Sequence, residues 1–163
     1  MTSWREASVE DDAALALLTE YFSSRAQTFP ASQGEYRTVF PSAEQFVAPR
    51  GVFLIVEGDG LDGEAADVGC GGIRHIDPID GQTTFELKHL WVQPHVRGLG
   101  VGRALLAELA RRARDFGAER LVLDTNDSLE AAGRLYRSSG FEPIEPYNDN
   151  QNATAWFSKS LLG

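Results

Sequence analysis

Three features of this 163-residue chain carry residue types that can do chemistry. One is a glycine-rich corner bounded by arginines, Arg97-Gly98-Leu99-Gly100-Val101-Gly102-Arg103. The others are a carboxylate before it, Glu86, and a phenol beyond it, Tyr136. Glycines at Gly98, Gly100 and Gly102 allow positive φ and leave no Cβ to block a ligand. Successive N–H groups can then converge on an anion at the start of a helix, where the macrodipole is positive. An exposed dipole contributes only about 0.3–1 kcal/mol, so the charges of Arg97 and Arg103 add to it. The expected guest is a phosphate or pyrophosphate.

Two common phosphate loops do not fit. A nucleoside-triphosphate loop needs Lys-Ser/Thr after its last glycine, and here Arg103-Ala104 follows Gly102. The dinucleotide fingerprint needs a different glycine spacing on an early βαβ unit, and here the glycines alternate. The whole string resembles the GNAT superfamily of N-acetyltransferases, whose signature is Arg/Gln-x-x-Gly-x-Gly/Ala between a strand and a helix. Glu86 to Pro94 resembles the strand those enzymes place before the loop. Ala132-Gly133-Arg134-Leu135-Tyr136, closing at Gly140-Phe141, resembles their second hallmark. The likeness covers residues 66–162 well and the first 65 loosely.

Acetyl transfer from a thioester to an amine asks for removal of a proton, polarisation of a carbonyl and protonation of a leaving thiolate. The resemblance implies acetyl-CoA (coenzyme A) as cofactor, with Glu86 as base and Tyr136 as acid. The residues alone also allow Glu86 to be a solvated or cation-binding carboxylate, and Tyr136 to be a half-buried aromatic. Leu90, Trp91 and Val92 would line the pantetheine, with Leu90 and Val92 offering backbone groups. Arg97, Gly98, Leu99, Gly100, Val101, Gly102 and Arg103 would hold the pyrophosphate. Leu129 stands where many members carry a pantetheine-binding asparagine, so Asn126, one turn earlier, is the expected substitute. Phe29, Glu86, Tyr147 and Asn148 would line the acceptor side. No metal is expected, since His75, His89, His95 and Cys70 lack ligand spacing. Mid-strand Cys70 reads as a core thiol, and His89 reads as packing on the face away from Glu86.

These side chains need a scaffold. Apolar residues at Val101, Leu105, Leu109, Ala113 and Phe116 mark one face of a helix that Gly117 ends. Thr84–Val92 reads as a strand stopped by Pro94, on which alternation puts Glu86, Lys88, Leu90 and Val92 on one face, with Lys88 able to quench the carboxylate. Upstream come a short strand at 4–7, a helix capped by Ser8 and ending near Ser24, a loop, and a short helix from Ser42. Strands at 52–57 and 67–76 follow, the second with Gly69, Gly71 and Gly72 hinting at a bulge. Downstream come a strand at 120–125, a helix opened by an Asp127/Glu130 capping box, and strands at 141–147 and 154–161. The order implies an α/β fold, and with the resemblance a single GNAT-like domain over 1–163. Its sheet would be mixed and mostly antiparallel, flanked by helices, with a splayed cofactor cleft.

Composition is that of an ordinary soluble domain, 42% hydrophobic and 24% charged. The net charge of −9 argues against nucleic-acid binding. No apolar run reaches a membrane span, the start carries no leader, and a lone cysteine suits a reducing cytoplasm. The expected partner is a small-molecule amine, with a homodimer left open. A peptide N-acetyltransferase, a non-catalytic acyl-CoA sensor and a nucleotide-binding module are the competing readings.

Overall fold

In the computed structural model, which describes residues 3–163, Gln82–Val92 forms β4, the strand on which the site turns. Met1 and Thr2, the first residues of the expected leaderless start, lie outside the described residues. The preceding elements are β1 (Ser3–Glu6), α1 (Asp12–Thr28), β2 (Gly51–Asp59) and β3 (Ala65–Ile79), with two short 3-10 turns between α1 and β2. After β4 come α2 (Val101–Asp115), β5 (Arg120–Thr125), α3 (Glu130–Ser138), β6 (Glu142–Pro143) and β7 (Ala155–Ser160). The sheet order is β1-β2-β3-β4-β5-β7-β6, and among the described residues only β4 and β5 run parallel. Among the described residues no helix is long and apolar enough to cross a membrane.

Each face of the sheet carries a core. Val52, Leu54 and Val56 of β2 join Leu105, Leu109 and Ala113 of α2 on one face, with Tyr136 of α3 beside them. Phe53 and Ile55 point the other way, into a cluster with Leu17, Leu18 and Phe22 of α1. The strict alternation of β2 is the reason both faces are covered. The glycines of β3 permit close approach: a Cβ added at Gly71 would come within 3.0 Å of Leu109, and one at Gly72 within 2.8 Å of Phe46.

The β3–β4 ladder is broken among the glycines that hint at a bulge. Cys70 pairs with Trp91 and Gly72 with Lys88, so Gly71 alone faces His89 and Leu90. This is a bulge, with His89 at φ 59°. It overturns the expected shared face. Leu90 and Val92 join Phe85 and Leu87 on the α2 side, while Glu86 and Lys88 take the opposite side. His89, expected on the face away from Glu86, packs instead against Tyr21, Phe22 and Phe46 on the α1 side.

Four local expectations are corrected. Helix α1 starts after Asp11, because Ser8 and Asp11 close a turn in which the Ser8 N–H donates to the Asp11 carboxylate. It runs on to Thr28 and stops at Phe29, whose ψ of 128° is the extended value a following proline imposes. The Asp127/Glu130 box does not form; Asp127 N–H donates to Thr154 Oγ1, and Ser128 N–H to Asn126 Oδ1. Strand β6 shrinks to two residues, since Pro143 and Pro146 bring no N–H to a ladder.

Candidate active site

Strands β4 and β5 part early. They pair only over Thr84–Glu86 against Arg120–Val122, although β4 continues to Val92 and β5 to Thr125. Past that point β5 pairs only with β7. The wedge left at the carboxyl ends of two parallel strands is where such sheets place ligands. It opens into a cleft of about 730 Å³.

One end of the cleft is the glycine corner. Gly98 and Gly100 both hold φ 82°, and a Cβ on either would meet nothing within 4 Å. Gly100 is the left-handed residue that starts α2. Gly102 needs no such conformation, and a Cβ there would make ordinary contact with Leu135 at 3.5 Å. Arg97 bonds the Val92 carbonyl at 2.9 Å and lies over the Trp91 ring. Arg103 clips α2 to the end of α3, donating to Ser138 Oγ at 2.8 Å. Leu99 does not line the cleft and is 73% exposed.

The walls are Leu90, Trp91 and Val92 on β4 and Leu129, Ala132 and Leu135 around α3. Asn126 is not among them. Its side-chain amide donates to Gln33 Oε1 at 2.7 Å and to the Asn152 carbonyl, and its oxygen accepts from Ser128. The expected pantetheine ligand is thus spent on loop closure, and the cleft wall nearby is apolar Leu129.

At the other end stands Tyr136, 7% exposed and lining the cleft. Burial, reinforced by the phenol of Tyr21, raises its hydroxyl above the usual phenol range, so it stays protonated. Glu86 does not line the cleft. It is 2% exposed, its Oε1 bound by Arg74 at 2.8 Å and its Oε2 by the Tyr147 hydroxyl. Two carboxylates do line the cleft, Glu130 in the first turn of α3 and, at the end of β5, Asp124. Lys88 approaches it at 3.6 Å and Asn148 donates to it at 2.7 Å. Burial opposes its charge, yet the Lys88 ammonium and the amide donors hold it below the usual carboxylate range.

The structure therefore draws Tyr147 and Asn148 to two different acids, and both lie just behind the cleft rather than on its surface. Phe29 packs against Tyr36 and does not reach the cleft. Sequence reasoning missed Tyr21 and Arg25 of α1 and Asp124. A signal for Asp124 existed, because it ends the strand parallel to β4, where switch-point ligands sit. For Tyr21 and Arg25 the sequence held none.

Residues 13–141 match the model of the family described as Acetyltransferase (GNAT) family. The chain belongs to that family. Among curated relatives it is 36% identical over 102 residues to an uncharacterized N-acetyltransferase of Schizosaccharomyces pombe, covering 63% of this chain and 58% of that one. It is also 36% identical over 97 residues to an aminoglycoside N(6')-acetyltransferase of Stenotrophomonas maltophilia, covering 58% of this chain and 61% of that one. The chain thus spans little more than half the length of these GNAT relatives. A solved structure from Salmonella typhimurium, described with its cofactor acetyl-CoA, superposes with a TM-score of 0.66 at 21% identity, over 100% of this chain and 95% of that one. The mixed, mostly antiparallel sheet with flanking helices is the GNAT fold.

Proposed function

We propose that residues 1–163 form a single N-acetyltransferase domain that moves an acetyl group from acetyl-CoA to the primary amine of a small molecule by direct attack. The observation that carries this is the joining, in one cleft, of an anion-binding corner with a buried phenol beside a carboxylate. The left-handed Gly98 and Gly100 leave the corner open to a pyrophosphate. The acetyl-CoA described with the Salmonella structure agrees with that guest.

The bound cofactor would supply a thioester; the protein supplies position and protons. Arg97 to Gly102 would hold the pyrophosphate through backbone N–H groups, and Leu90 and Val92 would face the pantetheine beyond the bulge. Leu129, Ala132 and Leu135 would pack on its apolar side. As the C–N bond formed and the C–S bond broke, Tyr136 would give its phenolic proton to the departing sulfur. Asp124 would draw the acceptor's ammonium and pass one of its protons to solvent, and the second proton released by the nitrogen would return to the Tyr136 oxygen. Glu86 orders Arg74 and Tyr147, and with them the loop behind the acceptor side.

A small acceptor is favoured over a peptide because two loops are tied together beside the cleft. The loop after α1 is stitched to the 148–153 loop: Arg37 N–H donates to Asn152 Oδ1 at 2.9 Å, Asn152 returns a bond to the Arg37 carbonyl, and Asn126 holds Gln33. The aminoglycoside relative also modifies a small amine.

A calorimetric titration with acetyl-CoA, CoA, ATP and NAD tests this reading. Acetyl-CoA and CoA should bind at least tenfold tighter than ATP or NAD, and Arg97→Ala with Arg103→Ala should abolish that preference. Equal affinity for ATP would overturn it.

A further inference from the structure

Three arginines line the cleft, and they are not alike. Arg97 and Arg103 stand at the glycine corner, where an anionic guest is already accounted for. Arg25 comes from the last turns of α1 and stands at the reacting end. Tyr136 and Asp124 line the same cleft with it.

The Arg25 guanidinium is held without being neutralised. Tyr21 Oη accepts from it at 3.3 Å and the Asn152 carbonyl at 3.5 Å, both long bonds. Tyr36 lies against its face at 5.2 Å. Among the described residues no carboxylate pairs with it, although Asp and Glu outnumber Lys and Arg by 24 to 15. Its cleft neighbours Lys88 and Asp124 pair with each other. A half-buried fork stacked on one ring and lightly tethered at its edge keeps donors for a planar oxyanion.

We infer that the acceptor of this enzyme is a small amine that also carries an oxyanion, a carboxylate or phosphonate, which Arg25 binds while Asp124 takes the ammonium. This rests on the acetyltransferase reading above and narrows it. The tether geometry explains the pairing of loops as well. Asn152, which accepts from Arg25, is the residue that locks the 148–153 loop to Arg37. The oxyanion would therefore meet an arginine tethered from the side of the joined loops. Pre-positioning of this kind lowers the ordering cost of binding.

The test is thiol release from acetyl-CoA with matched acceptors: β-alanine, 2-aminoethylphosphonate, ethanolamine, and glycine beside glycinamide. At least one oxyanion-bearing acceptor should exceed its uncharged counterpart at least tenfold in kcat/KM. Whether β-alanine or the phosphonate leads identifies the oxyanion. Arg25→Gln should raise the KM for that acceptor about tenfold or more and bring the selectivity ratio near one. Arg25→Lys should restore part of the selectivity, and the acetyl-CoA Kd should be unchanged in both. Equal or better turnover of ethanolamine and glycinamide, or full selectivity in Arg25→Gln, would overturn the inference while leaving acetyl transfer intact. If no amine is acetylated, thermal shifts of the CoA complex decide: no Arg25-dependent stabilisation by β-alanine or the phosphonate also overturns it. A failure of acetyl-CoA to bind defeats the parent reading instead.

Discussion

Tyr147 donates its hydroxyl to Glu86 Oε2 at 2.5 Å, across 61 residues of chain, while Arg74 holds the other oxygen. This triad spends the carboxylate that the sequence offers as a base. Glu86→Gln is therefore expected to act on stability more than on chemistry. Breaking a fully buried pair costs about 3–5 kcal/mol, and since Arg74 is partly exposed a loss of about 2–3 kcal/mol is expected. Urea unfolding reads that loss, and kcat/KM measured well below the new midpoint should fall less than tenfold.

Asp124 should behave in the opposite way. Asp124→Asn keeps the shape of the end of β5 and removes its negative charge. A drop in kcat/KM of about 10² is expected with the acetyl-CoA Kd unchanged, the size usual for a positioned proton-transfer group. Comparing the two variants in one assay separates the acid behind the site from the acid in it.

His89 makes stability depend on pH. Burial, with the charges of Lys88 and Arg74, depresses its pKa to about 3, and among the described residues its Nδ1 has no partner. The unfolded chain takes a proton near pH 6.5, whereas the folded chain resists until about pH 3. The unfolded state therefore binds more protons in that window, and stability falls as pH falls through it. The slope is about 1.4 kcal/mol per pH unit, or about 2 kcal/mol between pH 6.5 and 5. His89→Asn, which tolerates positive φ, should lack this slope relative to wild type when both are unfolded in urea at pH 7.5, 6 and 5.

Two of the corner glycines should separate. Gly100→Ala forces a Cβ into a left-handed position and is expected to cost about 1–2 kcal/mol, with weaker acetyl-CoA binding. Gly102→Ala meets only ordinary contacts inside a helix and should leave stability unchanged or raise it by up to about 1 kcal/mol. Thermal unfolding with and without acetyl-CoA reads both.

What the sequence made legible was local. The corner from Arg97 to Gly102, the stripe from Val101 to Ala113 and the bounds of β5 all follow from neighbours in the chain. The bulge at His89 does not, since it exists only in the register between β3 and β4. It reverses the face of every residue after it, which is why Glu86 and Leu90 were expected together. Asn126 was expected in the cleft because helical spacing says nothing about Gln33 and Asn152, its actual partners. Arg25 reaches the site only because α1 packs across β3 and β4.

The most direct test of the account is thiol release from acetyl-CoA by wild type and Tyr136→Phe across pH 6–10, with an accepted amine and with acetyl-CoA affinity measured alongside. Because the phenol's pKa is raised, the wild-type rate should hold through pH 10 without the decline an ordinary tyrosine acid would give. Tyr136→Phe should lose about 10²-fold or more in kcat at unchanged acetyl-CoA Kd. A Tyr136→Phe enzyme with the full wild-type rate would contradict the assignment of the leaving-group proton, and with it the central claim.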